Sequence, residues 1–395
     1  MLLGLVGKPS SGKSTFFKAA TLVDVAIASY PFTTIKSNHG IGYVKIDCAD
    51  TDFKLNCQPN HGFCTSGKRF LPVEIIDVAG LVPGASEGKG LGNQFLDDLR
   101  QADVFVHIVD VSGTTDSEGK PTENFDPAED VKFLEDELNN WFFNILLKAW
   151  KSFAKKIETE SEKNFSLSVA KQFSGLKVTE ENVKKILTKN PFPEKVISWN
   201  DEDLKRFASA LRNESKPTII VANKIDLEKS PENYEKLKLK FPNLVIIPCS
   251  ADSELALREA NKADLVEYIP GEKNFELKNN LNEKQKQALE KIRKNVLDKF
   301  NSTGVQAVLN YAVFDLLEYL AVFPVESANK LSDSKGKTLP DCFLMPKNST
   351  AQDLAYFLHT DFGNNFIKAI DARTKRILGK DYKLKHRDVL EIVTR

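Results

Sequence analysis

Short apolar runs punctuate the first part of the chain and return after residue 213. Leu2, Leu3, Leu5 and Val6 open it, and comparable runs follow at 70–76, 104–109, 217–222 and 244–247. Runs this short and this uniformly apolar predict strands buried on both faces. Ile41, Tyr43 and the pair Lys45 and Ile46 alternate instead, as a strand does. A helical run with Phe16, Phe17, Ala19 and Ala20 follows the first strand, and residues 47–69, holding Pro, Gly, Cys and Asn, read as a long hairpin excursion. Later helices are expected over 281–300 and over 305–320, where Val308, Leu309, Ala312, Leu316 and Leu320 share a face. The pattern predicts an α/β fold whose sheet is mostly parallel and covered on both sides.

The rhythm changes at residue 112. Residues 113–126 are rich in Gly, Thr, Ser, Asp and Pro and read as a linker-like surface segment. Leu134, Leu138, Trp141, Ile145, Ala149 and Phe153 then recur at helical spacing, followed by Val183, Ile186 and Leu187, and by Leu204, Phe207, Ala208 and Leu211 behind an Asn200 N-cap with Asp203 three residues on. This predicts a helical insertion over 113–212, with Trp141, Phe142, Trp150 and Phe153 forming its core rather than a ligand box. In the tail, strands at 322–325, 341–345 and 389–393 surround one helix expected to start at a Ser349-Thr350-Ala351-Gln352 capping box. The expected division is 1–112 with 213–320, the insertion 113–212, and a small α+β unit 321–395.

At 395 residues, two or three domains are expected. Lys+Arg and Asp+Glu both number 55, so no global field draws the chain to nucleic acid or membrane, and no DNA specificity is expected. A hydrophobic share of 41% with 28% charged residues describes a globular protein, and no apolar run approaches the roughly 20 residues of a membrane span. The opening strand leaves no room for a signal peptide, so a cytoplasmic location is expected. Five cysteines argue against a secreted disulfide framework. Cys57-x-x-x-His61-x-x-Cys64, with Cys48 nearby, offers metal ligands, but not at zinc-finger spacing, and reads rather as thiols or a local staple.

The chemistry concentrates at strand ends. Gly7-Lys8-Pro9-Ser10-Ser11-Gly12-Lys13-Ser14 fits the phosphate-loop pattern between a buried strand and a helix. Its glycines let the backbone N–H groups of Ser10, Ser11, Gly12 and Thr15 turn toward phosphate, and Lys13 brings charge to the outer phosphates. Asp77, within Asp-x-x-Gly, sets a carboxylate near a metal and the Gly80 N–H near a γ-phosphate. Ser14 and Asp77, with Thr34 or Thr33, are the expected Mg²⁺ ligands. Asn223-Lys224-Ile225-Asp226 suits guanine, since Asp226 accepts from N1–H and the 2-amino group while the Lys224 stem lies along the ring. Ser250-Ala251 presents an N–H to the guanine O6. Each motif closes a strand, where open α/β sheets bind ligands.

These residues resemble the Obg family of translation-factor GTPases. Tyr30-Pro31-Phe32-Thr33-Thr34 is similar to its switch I, and residues 77–85 and 87–96 are similar to its glycine-rich switch II. The tail, with Leu339-Pro340-Asp341, His359-Thr360-Asp361-Phe362-Gly363 and Ala369-Ile370-Asp371-Ala372-Arg373, resembles a TGS domain, a ubiquitin-like β-grasp fold. The insertion and the tail together place the resemblance nearest the YchF-related branch. It implies a Ras-like P-loop NTPase domain, GTP and GDP as ligands with Mg²⁺, hydrolysis supported by Lys13, Thr34 and Gly80, and a ribosome or RNA partner met by the helical and TGS units. Two departures stand out. YchF proper has an altered guanine motif and accepts ATP, whereas Asn223 to Asp226 is intact here. Leu81 occupies the place of the water-orienting glutamine, so slow intrinsic hydrolysis is expected; Asn93, Gln94 or a bound partner is a candidate replacement, against the favoured reading that Gln94 simply opens the helix after switch II, and Ser10 stands where K⁺-activated relatives carry asparagine. The expectation is a slow GTPase switch, set against a nucleotide-sensing adaptor and a YchF-like ATPase. A basic run from Lys368 to Arg387 offers a phosphate-binding face or simply a solvated one.

Overall fold

The computed structural model describes residues 1–22, 38–78, 99–159, 164–278, 281–333 and 335–395. A seven-stranded sheet forms its centre, in the order β2-β4-β1-β5-β6-β7, with β3 pairing along β4. The strands are β1 (Leu2–Val6), β2 (His39–Asp47), β3 (Phe63–Thr65), β4 (Lys68–Asp77), β5 (Val104–Asp110), β6 (Thr218–Asn223) and β7 (Ile246–Pro248). β4, β1, β5, β6 and β7 run parallel, and β2 and β3 are antiparallel to β4.

Alternation along each strand divides the core between the two faces. Leu3 and Leu5 of β1 pack with Phe16 of helix α1 (Lys13–Thr21) and with Val305 and Val308. Leu2 and Val6 point the other way, into the helical insertion, beside Phe105 of β5. That insertion is built on α2 (Pro127–Thr159), α3 (Glu180–Lys189) and α4 (Asp201–Ser215). Its core is aromatic: Trp141, Phe142, Trp150 and Phe153 are buried, and Trp150 stacks on Trp199 with centroids 5.1 Å apart. α4 begins with the Asn200–Asp203 capping box read in the sequence.

The C-terminal sheet is five-stranded, in the order β11-β10-β14-β12-β13. It comprises β10 (Tyr319–Val325), β11 (Phe343–Pro346), β12 (Phe366–Asp371), β13 (Ile377–Leu378) and β14 (Val389–Thr394), and it packs Val322, Met345 and Leu390 against Leu354 of the helix Ala351–Leu358, which a short helix, Thr360–Asn364, follows. Among the described residues no helix is long and apolar enough to cross a membrane.

Several local expectations change. The helix from Val305 stops at Leu316, because Glu318 takes φ 52° and the β-prone Tyr319–Val325 begins a strand, so Leu320 sits in β10 and the boundary expected at 321 falls inside that strand. The C-terminal helix is capped by Thr350 with Asp353, one residue later than the Ser349–Gln352 box. A helix over Ala251–Lys262 and the hairpin of β8 (Val266–Tyr268) with β9 (Phe275–Leu277) were not legible. Residues 113–126 do lie at the surface, with Glu118, Lys120 and Glu123 exposed, but they are anchored: Gly113 and Thr115 are buried, and Gly119 lies so close to Pro9 that a Cβ would meet its carbonyl at 2.7 Å.

Candidate nucleotide site

The five parallel strands end on one edge of the sheet, and the sequence motifs collect there. β1 runs into Gly7, where an added Cβ would meet the Ile108 carbonyl at 2.5 Å, so only glycine lets the turn lie against β5. Gly12, at φ 91°, is the N-cap of α1, and no side chain caps that helix end. The first-turn N–H groups of Lys13, Ser14 and Thr15 therefore present the positive end of the helix dipole. Ser10 is exposed at φ 61° and Ser11 is buried.

Asp77, at the end of β4, faces that helix start. Lys13 Nζ donates to Asp77 Oδ1 at 2.9 Å, and Ser14 Oγ donates to Asp77 Oδ2 at 3.3 Å. The hydroxyl and the carboxylate are hard oxygen donors that would suit a divalent ion, with the Lys13 ammonium as a compensating cation beside them. Ser14 and Asp77 are thus the described residues suited to Mg²⁺. Thr34 and Gly80, with Thr33, Leu81, Asn93 and Gln94, lie outside the described residues.

The guanine-type motif closes on the same edge. Asn223 Nδ2 donates to the Ser11 carbonyl at 2.9 Å, and Asn223 Oδ1 accepts from the Ala251 N–H at 3.1 Å. One amide thus ties the phosphate loop to the Ser250-Ala251 turn. It also engages the N–H expected to reach O6, so a base there would share that donor. Ser250 caps the following helix, its hydroxyl accepting from Ser253 N at 3.3 Å. Asp226 is half-buried beside a groove of about 230 Å³ shared with Asp252, Ser253 and Asn295, and among the described residues its carboxylate has no hydrogen-bond partner. It is free to accept.

A second tier of contacts, in which motif residues Lys8 and Lys224 meet Asp110, Thr115 and Asp130 from outside the motifs, holds these in place. Lys224, at φ 64°, extends its ammonium to Asp110 Oδ2 at 2.6 Å. Asp110 ends β5, is buried, and also accepts from Thr115 Oγ1 at 2.8 Å and from the Ser112 hydroxyl and N–H. Burial pushes the Asp110 carboxyl up, but hydrogen bonds from Lys224, Ser112 and Thr115 outweigh it and hold it below the usual range. Lys8 is buried inside the loop, pairs with Asp130 of α2 at 2.8 Å, and donates to the Thr115 carbonyl at 2.8 Å. Burial lifts Asp130 to about 6 in spite of Lys8. The phosphate loop is therefore fastened directly to the first turn of the helical insertion. The signal for Asp110 was present, as a carboxylate closing an apolar strand, but Asp130 and Thr115 carry none.

Four side chains of the tail's basic run are committed within the chain. Arg373 and Arg387 both reach Asp52, at 2.7 and 2.9 Å, and Lys375 and Lys383 donate to the carbonyls of Ala328 and Asn348.

Three family descriptions match the chain in succession: a 50S ribosome-binding GTPase over residues 2–147, the G4 motif-containing domain of Obg-like GTPases of the YGR210 type over 221–327, and a TGS domain over 328–394. A GTP-binding protein of Methanocaldococcus jannaschii is 48% identical over 395 residues, covering 100% of this chain and 99% of that one. The ribosome-binding ATPase YchF of Buchnera aphidicola is 28% identical, covering 93% of this chain and 86% of that one. The crystal structure of a GTP-binding protein from Pyrococcus horikoshii superposes with a TM-score of 0.80 at 39% identity, each chain fully covered. With its phosphate loop, strand-end Asn-Lys-x-Asp motif, helical insertion and C-terminal TGS domain, the chain belongs to the YchF-like Obg family of P-loop GTPases.

Proposed function

We propose that this protein is a Mg²⁺-dependent GTPase of low intrinsic rate that works as a nucleotide-controlled switch, with its helical insertion and TGS domain reading the bound state out to a ribosome. One observation carries the reading: Asn223 bridges Ser11 and Ala251, so the base-reading and phosphate-reading elements form one hydrogen-bonded unit, with Lys13, Ser14 and Asp77 converged at its phosphate end. Asp226 supplies the guanine preference, because an acceptor carboxylate matches two adjacent donors that adenine lacks on that edge. Lys13 would neutralise the developing phosphate charge, and Mg²⁺ held by Ser14 and Asp77 would polarise the γ-phosphate, with Thr34 and Gly80 completing the site from the switches. The link from Lys8 to Asp130 gives the loop a mechanical connection to the insertion. The ribosome as partner, and the cytoplasm as location, rest on the names of relatives such as the ribosome-binding ATPase of Buchnera aphidicola.

Leu81 favours a second reading, a nucleotide-sensing adaptor, because a leucine cannot orient the attacking water. Calorimetric titration of GTP, GDP and ATP with Mg²⁺, joined to single-turnover hydrolysis with and without ribosomes, separates the two. Tight guanine binding with hydrolysis accelerated by ribosomes supports the switch. Tight guanine binding with no acceleration selects the adaptor, and preferred ATP binding overturns the guanine assignment.

A further inference from the structure

Far from the nucleotide, the excursion between β2 and β4 gathers four ligand-type side chains. Cys48, Asp50, Cys57 and Cys64 each place one ligand atom within 4.8 Å of the others. Cys48 Sγ lies 3.7 Å from Cys57 Sγ, and Cys64 Sγ lies 3.7 Å from Asp50 Oδ2. Zinc bonds of about 2.3 Å to sulfur and about 2.0–2.2 Å to oxygen put the edges of a ligand tetrahedron at roughly 3.5–3.8 Å. Both separations match such edges, and the sulfur pair stands well outside the ~2.05 Å of a disulfide bond. Asp50 is 6% exposed, and its Oδ1 is a buried acceptor with no hydrogen-bond partner among the described residues. A carboxylate so placed is costly unless it is paired or bound to a metal. His61, part of the pattern noted in the sequence, stands outside the group and turns toward Phe343.

We propose that Cys48, Asp50, Cys57 and Cys64 form a structural zinc site. Four protein ligands fill a tetrahedron and leave no open position, which is the arrangement of a structural rather than a catalytic ion. Three thiolates select a thiophilic ion over Mg²⁺ or Ca²⁺. With one carboxylate they carry two more charges than a divalent ion neutralises, and cations stand nearby to meet them. Arg69, fully buried, pairs in register with Cys64, and Arg387 donates to the Cys48 carbonyl at 3.2 Å.

The site has a structural consequence, because ligands and docking residues interleave along the excursion. Between Cys57 and Cys64, Gln58 N donates to the Thr338 carbonyl at 2.8 Å and Asn60 N to the Pro340 carbonyl at 2.9 Å. Between Cys48 and Cys57, Asp52 pairs with Arg373 and Arg387. Zinc would therefore fix the surface on which the C-terminal unit seats, since metal-binding free energy becomes folding free energy of the loop.

The test uses the full chain, purified reduced and without chelator. Metal content is measured by mass spectrometry, and metal-free protein is titrated with Co²⁺ to read its ligand-field and thiolate charge-transfer bands. The expected result is about one zinc per chain in the wild type, lost in a Cys57→Ser/Cys64→Ser variant, and a tetrahedral cobalt–thiolate spectrum bleached by Zn²⁺. Should the variant fail to fold, the wild-type cobalt spectrum decides alone. Wild-type protein that takes up neither metal, zinc retained in the variant, or peptide mapping of the protein as isolated that shows a Cys48–Cys57 disulfide would each overturn the proposal.

Discussion

Asn223 and Asp226 sit three residues apart and govern different parts of nucleotide binding. Asn223 joins Ser11 to Ala251 and touches protein on both sides, so Asn223→Ala should weaken GTP and ATP alike. Two lost hydrogen bonds in a buried setting correspond to about 1–3 kcal/mol, or roughly 5- to 150-fold in affinity. Asp226 faces open space, and Asp226→Ala should cost a similar factor for GTP while leaving ATP within about 2-fold, as one partnerless carboxylate is removed. Calorimetry of both nucleotides on both variants checks this, and equal losses in the Asp226 variant would sink the guanine assignment. A third residue sets the acid response. His107 on β5 is wholly buried, and burial, reinforced by nearby Lys8, drives its pKa down from 6.5 to about 3. Its folded-state pKa is depressed, so its contribution is complete above pH 6.5 and is lost as pH falls toward 3, where the unfolded chain binds a proton that the folded chain refuses. Between pH 6.5 and 4 this amounts to about 3 kcal/mol. Asp130, raised to about 6, acts with the opposite sign, its contribution lost as pH rises through 6. Urea unfolding of His107→Leu should therefore show a flatter decline from pH 7 to pH 4 than the wild type, and parallel declines would refute the assignment.

At the scale of elements, α1 depends on a glycine for two separate reasons. Gly12 takes φ 91°, which a side chain resists by about 1–2 kcal/mol, and an added Cβ would stand 2.2 Å from Asn223 Nδ2. Gly12→Ala should lower triphosphate affinity at least tenfold, by calorimetry, because it pushes aside the amide that joins the two halves of the site. An unchanged affinity would mean that the Asn223 bridge is dispensable. Gly12 and the strands around it were legible in the sequence, because parallel strands buried on both faces read as unbroken apolar runs. The helix Ala251–Lys262 was not, since its buried face is partly polar. Glu254 is fully buried, accepts from Arg258 at 2.6 Å and from the Tyr268 hydroxyl at 2.7 Å, and also meets Thr303. Hydrophobic periodicity cannot register a helix held by such a network. The same holds for residues 113–126, which fold over the phosphate loop through Lys8 and Asp110. There Lys8 reaches Thr115 across 107 residues of sequence, and no local pattern records that contact.

Over the whole molecule, β4 links the nucleotide site to the C-terminal sheet. Asp77 ends the strand among the phosphate-loop residues, and Arg69 lies near its start, eight residues and roughly 26 Å away at about 3.3 Å per residue. Arg69 is fully buried and spans the joint, donating to the carbonyls of Leu339 at 3.3 Å and Pro340 at 2.7 Å. The core itself is continuous across this joint, with Leu71 and Val73 of β4 in one apolar cluster with Phe323, Leu339 and Val389. Arg69→Met keeps the length of the side chain but leaves two buried carbonyls without their charged donor, at a cost of about 3 kcal/mol. Asp52→Ala removes the pairs to Arg373 and Arg387 at the exposed rim of the same joint, where ion pairs are worth about 0–1 kcal/mol. Scanning calorimetry should therefore show a large drop in melting temperature for Arg69→Met and a small one for Asp52→Ala. GTP affinity should stay within about 2-fold of wild type in both, since neither change reaches the far end of β4. If GTP affinity instead falls in step with stability, the two ends of the strand share one cooperative unit, and docking of the C-terminal sheet contributes to holding nucleotide.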